Sequence, residues 1–438
     1  MLKNYLIKYF RNLPEYRFFL LLFIFSLVIY VAGIIRVKSL LWGDSLYYYA
    51  YTHSIIIDRD IDFENEAYRT VDGFPNKPEI SQITHKVTNK FSPGTAIAWI
   101  PGFVVGQAVA YTANLILGLG DSFTNGYGIL TQFFVAISSV AFSVTGLWLV
   151  YKTIKEFFEK EIAVLSCILL FFTTPLFYYT AVDPLNSHSI SFLLSSILVY
   201  QVAKLAKTKT TWVRVIKMGI VAGLLLLVRN QDAVIVLPVF LYLVFAKKES
   251  LLDKLNWATL FAGFAFVVFS IQAYVTLNLF GILGSPYLIR GEVFSWLKPD
   301  FFRVLFSFEN GLFFFSPVLL LAVGALLVSF LAMINKWFSK HLVETWKVSK
   351  EIQALVVISL VSFILQLYIV ASWAPEILGG PYGSRMFVSI LPHLSIGIAI
   401  FLTKVQRNLI KRRFLFSMIF IILFLNMLLQ TLIMLYRF

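Results

Sequence analysis

The chain has 438 residues, 59% of them hydrophobic and 14% charged, with a mean hydropathy of +0.81 and a formal net charge of +14. Many apolar runs reach the roughly 20 residues that cross a bilayer, which argues against a water-soluble fold and for an all-α polytopic membrane protein. In such a chain the excess of Lys and Arg reports membrane sidedness rather than nucleic-acid binding, and the single cysteine, Cys167, supports neither a disulfide framework nor a cysteine metal site.

In chain order, Lys3, Lys8, Arg11 and Arg17 precede the first apolar run, which lacks a small-residue cleavage site and reads as a retained span. Spans are expected at 17–36, 126–150, 162–181, 184–204, 213–229, 231–246, 256–279, 312–334, 352–371, 385–403 and 414–435, eleven in all, with the N-terminus cytoplasmic. This threading places 24 Lys/Arg against 8 Asp/Glu inside and 13 against 15 outside, a strong positive-inside bias. The stretch 94–117 is apolar enough to cross, but counting it would invert every later loop; with Pro101 and its glycines it is expected to be interfacial or re-entrant. By the same logic 213–246 is a tight pair meeting at Arg229-Asn230-Gln231-Asp232. The chain thus reads as one integral domain, 1–438, of the plasma (inner) membrane, whose long first extracytoplasmic loop covers 37–125.

That loop collects the chemistry. Asp44, in Trp42-Gly43-Asp44-Ser45, sits just beyond the first span, where an acid is either functional or a helix N-cap. Asp58, Asp60, Asp62, Glu64 and Glu66 follow, then His85, Lys86 and Lys90 before Phe91-Ser92-Pro93-Gly94. The alternating acids read as a solvated turn or as oxygen ligands for a divalent cation, and Asp-x-Asp-x-Asp alone does not choose. Arg229, at an outer helix end, is a ligand for an anion or an ion-pair partner of Asp232; Arg385 follows a glycine-rich loop bearing Tyr382. His53 and His85 are weaker candidates, and His188 reads as a satisfied helix-end residue.

Gly43-Asp44 with its Tyr-rich continuation, Asp58-Arg59-Asp60-Ile61-Asp62 and Lys90-Phe91-Ser92-Pro93-Gly94 together resemble the first outer loop of the GT-C superfamily of polyprenyl-phosphate-sugar glycosyltransferases. Gly223-Leu224 through Arg229, Asn310-Gly311-Leu312-Phe313-Phe314-Phe315-Ser316-Pro317 and Gly379-Gly380-Pro381-Tyr382-Gly383-Ser384-Arg385 agree with it, and the layout is similar to the bacterial aminoarabinose transferases and protein mannosyltransferases. The resemblance implies a bundle of about 11 transmembrane helices with juxtamembrane helices in the first loop, and Asp44 as catalytic base at an extracytoplasmic site. It implies a polyprenyl-phosphate sugar donor whose phosphate Lys90 approaches, and a lipid, glycan or protein acceptor, the sugar being transferred with inversion; Arg229 and Arg385, at outer helix ends, and Arg290 are the further candidates to bind the donor phosphate. Asp62, Glu64, Tyr47 and Tyr382 are the substrate-binding candidates.

The chemistry of such a transfer needs few parts. One carboxylate takes the acceptor's proton, and cations stabilise the departing phosphate in place of a general acid. No residue is assigned to a metal; the superfamily has metal-free and metal-using members, which leaves a divalent cation open. Membrane lipids are the expected surroundings. Two readings compete with transfer: a transporter or lipid flippase, which would place ionisable groups near the midplane, and a noncatalytic scaffold on the same bundle.

Overall fold

The computed structural model describes residues 14–34, 39–245, 249–334, 345–373 and 382–406, with 421, 425, 426, 428 and 432. The expected span 414–435 lies largely outside the described residues. The described chain is helical and contains no strand. The principal helices are α1 (Glu15–Ile34), α2 (Asp44–His53), α3 (Gly94–Leu117), α4 (Ile129–Lys155), α5 (Lys160–Phe172), α6 (His188–Leu205), α7 (Trp212–Val228), α8 (Ala233–Phe245), α9 (Leu251–Phe280), α10 (Pro317–Ile334), α11 (Lys350–Ser372) and α12 (Leu391–Gln406).

Among the described residues eight helices are long and apolar enough to cross a membrane, or nine if α5 and Pro175–Val182, bent by 69°, form one broken span. The bend has a local cause. Pro175 brings no N–H to the ladder, and Thr174 accepts a hydrogen bond from the Leu176 amide, so a new helix is capped where the old one stops. Eight of the eleven expected spans correspond to seven of these helices and the bent pair. Two more, α7 and α8, are helices of only 17 and 13 residues, separated where Arg229 takes an extended conformation.

The direction of α8 follows from its neighbours. Gly219 lies against Phe261 and Gly223 against Ala265, so α7 and α9 run parallel, and the chain between them must return along α8.

The bundle has two chemically distinct ends. At one, Glu15 pairs with Lys152 and Lys155, and Glu156 with Lys204 and Lys207. At the other, α6 begins at His188, α7 ends at Val228, and the first loop settles on the end of α9 through Thr84 to the Leu279 carbonyl and Lys86 to Asn278. Helix α3 is unbroken across Pro101 and packs antiparallel to α4, with Trp99 donating to Ser139 and Thr131 to Gln107. Its first turn lies against Leu227 and Val228 at the end of α7, and Gln107 reaches the Thr124 carbonyl in the turn leading into α4. Its other face carries exposed Val104, Val105, Val109, Leu115 and Ile116.

Candidate active site

Two glycines shape the entrance to the site. Gly43 has φ +58°, a conformation costly for a residue with a Cβ, and it occupies the N-cap of α2. Asp44 is therefore the first helical residue rather than the cap, and among the described residues its carboxylate is bonded to a side chain and not to a backbone N–H. It points instead to Arg385, whose Nη1 donates to Asp44 Oδ2 at 2.8 Å across 341 residues of sequence. Gly94 is the second. A Cβ there would stand 2.5 Å from the Leu227 carbonyl carbon, so only glycine lets the start of α3 press against the end of α7. That contact brings the segment before α3 beside the α7–α8 break, where Ser92 Oγ lies 3.4 Å from Asn230 Oδ1.

The segment from Asn89 to Phe91 is fixed on the other side to α2. Asn89 donates to the Tyr47 carbonyl at 2.9 Å and accepts from the Phe91 amide at 3.1 Å, and the Phe91 ring packs against Tyr47 and Tyr48. Lys90 is thereby held facing inward, where it pairs with Glu292. The second oxygen of Glu292 accepts from Trp373 Nε1 at 3.1 Å.

These elements enclose a cavity of about 520 Å³ lined by Asp44, Lys90, Arg229, Glu292 and Arg385, with His188, Tyr48, Tyr287, Trp373 and Met386 among its other walls. Among the described residues two carboxylates face three cations, leaving one net positive charge. His188 adds none. Arg229 Nη1 approaches His188 Nδ1 at 2.5 Å, and because a guanidinium can only donate, Nδ1 must carry the lone pair and the ring is neutral. The second Arg229 nitrogen points at Met386 Sδ. Arg385 is matched by Asp44 and Lys90 by Glu292, whereas among the described residues no carboxylate pairs with Arg229. The cavity's surplus charge therefore resides on Arg229. Burial pushes the Tyr48 hydroxyl up to about 12 and raises Tyr287 well above the usual phenol value, so both stay neutral donors at physiological pH.

Of the sequence candidates, Asp44, Lys90, Arg229 and Arg385 meet in this cavity; the others stand elsewhere. Arg290 is bound to Glu79 at the rim of the first loop, and that hydrogen bond holds the Glu79 carboxyl below the ordinary glutamate range. Tyr47 packs between Phe74 and Phe91. Tyr382 is buried against Tyr178 and Phe315, its hydroxyl donating to Asn426 Oδ1. Asp62 accepts from the Glu64 amide in an exposed turn. Sequence reasoning passed over Glu292, Tyr287, Asn230, Gln231 and Met386. Glu292 left a trace as an acid close to Arg290 in an outer loop, and Asn230 and Gln231 as part of the polar break between two apolar runs; Tyr287 and Met386 are neutral residues with no sequence signature.

Residues 125–274 match the family described as dolichyl-phosphate-mannose-protein mannosyltransferase. No curated protein matches the chain. Among solved structures, the archaeal oligosaccharyltransferase AglB from Archaeoglobus fulgidus, in complex with an inhibitory peptide and a dolichol-phosphate, superposes with a TM-score of 0.51 at 12% identity, over 96% of this chain and 54% of that one. The A. fulgidus oligosaccharyltransferase complexed with zinc and sulfate gives 0.49 at 13% identity, over 94% and 53%. The chain thus spans about half the length of these solved proteins, and the first likeness is one of fold.

Proposed function

Taking as premise that this integral membrane protein has the GT-C glycosyltransferase fold, we propose that it transfers a sugar from a polyprenyl-phosphate donor to an acceptor hydroxyl, with Asp44 as base. The observation that carries this reading is the convergence of Asp44 with Arg229 and Arg385, from three distant parts of the sequence, on one cavity.

Each group has a part the chemistry requires. Arg385 engages one oxygen of Asp44 and fixes the carboxylate's direction, and no described residue donates to the other oxygen, Oδ1. Oδ1 accepts the proton as the acceptor oxygen attacks the anomeric carbon, while the bond to the phosphate breaks and its electrons leave with the phosphate. Arg229, carrying the surplus charge, binds that phosphate and stabilises the charge it gains. Attack from the face opposite the leaving group inverts the anomeric centre. Lys90, tied to Glu292, holds the far wall. The dolichyl phosphate in the AglB complex and the mannosyltransferase match support a donor of this class for the present chain. A protein acceptor fits the same two comparisons, beside lipid and glycan acceptors.

The bundle's polarity supports an extracytoplasmic site. Lys152, Lys155, Lys204 and Lys207 gather at the end opposite the cavity, which the positive-inside bias assigns to the cytoplasm. For α3, the proximity of its first turn to the end of α7 and of Gln107 to the turn before α4 supports a helix that stays on the cavity side.

The test is Asp44→Asn in the purified full chain. The isostere keeps an acceptor for Arg385 yet cannot take the proton. Turnover should fall about 10²- to 10⁴-fold, with a polyprenyl-phosphate sugar bound at least as tightly as by wild type, since the change leaves the cavity more positive. Full turnover by a folded Asp44→Asn protein refutes the assignment.

A further inference from the structure

We propose that the first outer loop holds a divalent transition-metal ion at His53, Asp58 and Glu66, distinct from the cavity at Asp44. His53 ends α2, nine residues and about 13 Å along the helix from Asp44. It is 5% exposed, and its ring lies 4.6 Å from that of Tyr127.

The imidazole's own contacts decide what it offers. His53 Nε2 stands 3.0 Å from the Asn125 carbonyl oxygen, which can only accept, so the N–H is on Nε2. In the neutral ring Nδ1 then carries a lone pair. It faces two further lone-pair bearers, Glu66 Oε1 at 3.0 Å and Asp58 Oδ2 at 3.1 Å, and the three candidate ligand atoms lie within 4.8 Å of one another. Asp58 Oδ2 is steadied by a hydrogen bond from Asn65 Nδ2. Glu66 is 1% exposed, its side chain aimed into the cluster, and among the described residues nothing donates to its second oxygen, Oε2. A buried carboxylate with an orphan oxygen, facing an imidazole lone pair and a second carboxylate, lacks one positive centre.

The spacing fits a cation. Ligand atoms about 2.1 Å from a metal and at right angles to each other are about 3.0 Å apart, as Nδ1 is from both oxygens. One imidazole and two carboxylates on one face, with water completing the shell, suit zinc or manganese better than a thiol-seeking metal.

The backbone is shaped for this grouping. Ser54–Asp58 forms a π turn, which sets Asp58 five residues on beside His53, where an α-helix would have placed Ile57. By contrast Asp60 and Asp62 turn their carboxylates to local partners, Asp60 to Ser54 Oγ and the Asp62 amide, and Asp62 to the Glu64 amide. The alternating acids therefore do not act as a set; only Asp58 joins. An ion here clasps the end of α2 to the Glu64–Ala67 turn and, through Asn125 and Tyr127, to the entry of α4. It is a positioning element for α2, and so for Asp44 at the other end.

The experiment strips the purified full chain with a chelator and titrates it with zinc or manganese, reading bound metal per chain and the shift of the thermal midpoint. One ion per chain is expected, with a midpoint that rises on binding. Asp58→Asn, a partly exposed and conservative change, and Glu66→Gln should each weaken binding at least tenfold, while Asp44→Asn binds as wild type. The idea is overturned by absence of stoichiometric binding, by less than tenfold weakening in both variants, or by loss of the ion in Asp44→Asn alone. Because the readout is metal content, it stands apart from whether transfer activity is found.

Discussion

Arg229 is the side chain on which the proposed donor site can be tested most sharply. Among the described residues it is the cation in the cavity whose hydrogen-bond partners, His188 and Met386, are neutral, so Arg229→Gln takes the net charge of the described lining from one positive to none. Hydrogen bonds to a charged group contribute about 1.5–3 kcal/mol, which converts to a loss in donor affinity of about 10- to 150-fold. His188, being neutral, is left with no orphaned charge, but the buried Asp232 carboxylate feels the Arg229 charge, so the thermal midpoint is read alongside as the check on folding. The assay is direct binding of a polyprenyl-phosphate sugar to detergent-purified protein across ionic strengths, alongside initial rates of transfer. Arg229→Gln should raise the donor KM and flatten the salt dependence. Arg303→Gln, altering a charge paired with exposed Glu309, serves as the control and should do neither. Donor affinity within twofold of wild type in folded Arg229→Gln would show that the phosphate is held elsewhere, and the reasoning from charge balance would fail.

Other consequences are open to measurement. Glu292→Gln releases Lys90 and leaves the cavity with two net positive charges, so donor binding should tighten severalfold and become more salt-sensitive; unchanged affinity would place Lys90 outside the donor's reach. Gly94→Ala drives a Cβ into the Leu227 backbone, and overpacking of this kind costs about 1–3 kcal/mol; a thermal midpoint equal to wild type would contradict the close approach. The Glu79–Arg290 contact should stabilise the rim only above the ordinary glutamate pKa, since the folded carboxyl is depressed, and the contribution should vanish as pH falls through that lower value. Glu79 is mostly exposed, so the effect is below about 1 kcal/mol. The midpoint difference between wild type and Glu79→Gln should close as pH falls below the ordinary glutamate value of about 4.3, and a difference that widens on acidification contradicts the sign.

The parts of this protein legible in its sequence are those where charge meets an apolar run. Asp44, Arg229 and Arg385 each stand at the end of such a run, and charge is rare enough there to be conspicuous. The α7–α8 break was legible for the same reason, since a polar quartet cannot lie in hydrocarbon. What sequence could not supply was pairing over distance. Nothing in Arg290 tells that Glu79 binds it away from the cavity, or in Lys90 that Glu292 does so within it. Nor could spacing reveal that Gly43 would take the cap position and free Asp44, which depends on one positive φ. The Asp58–Asp62 alternation suggested a common fate for the three acids, and a single π turn separated them. Tyr382 stood as a substrate-binding candidate beside a glycine-rich loop; three-dimensional packing put its ring among Tyr178 and Phe315 instead.

The contact between Asp44 and Arg385 also bears on biogenesis. Because 341 residues separate the two, a ribosome that has made the proposed base must still supply most of the remaining helices before its guanidinium partner arrives. A nascent or truncated chain stopping short of Arg385 carries the acid without the group that aims it, so transfer competence should switch on only late in synthesis. On the proposed function, half-inserted chains would then occupy the membrane without consuming a lipid-linked sugar donor.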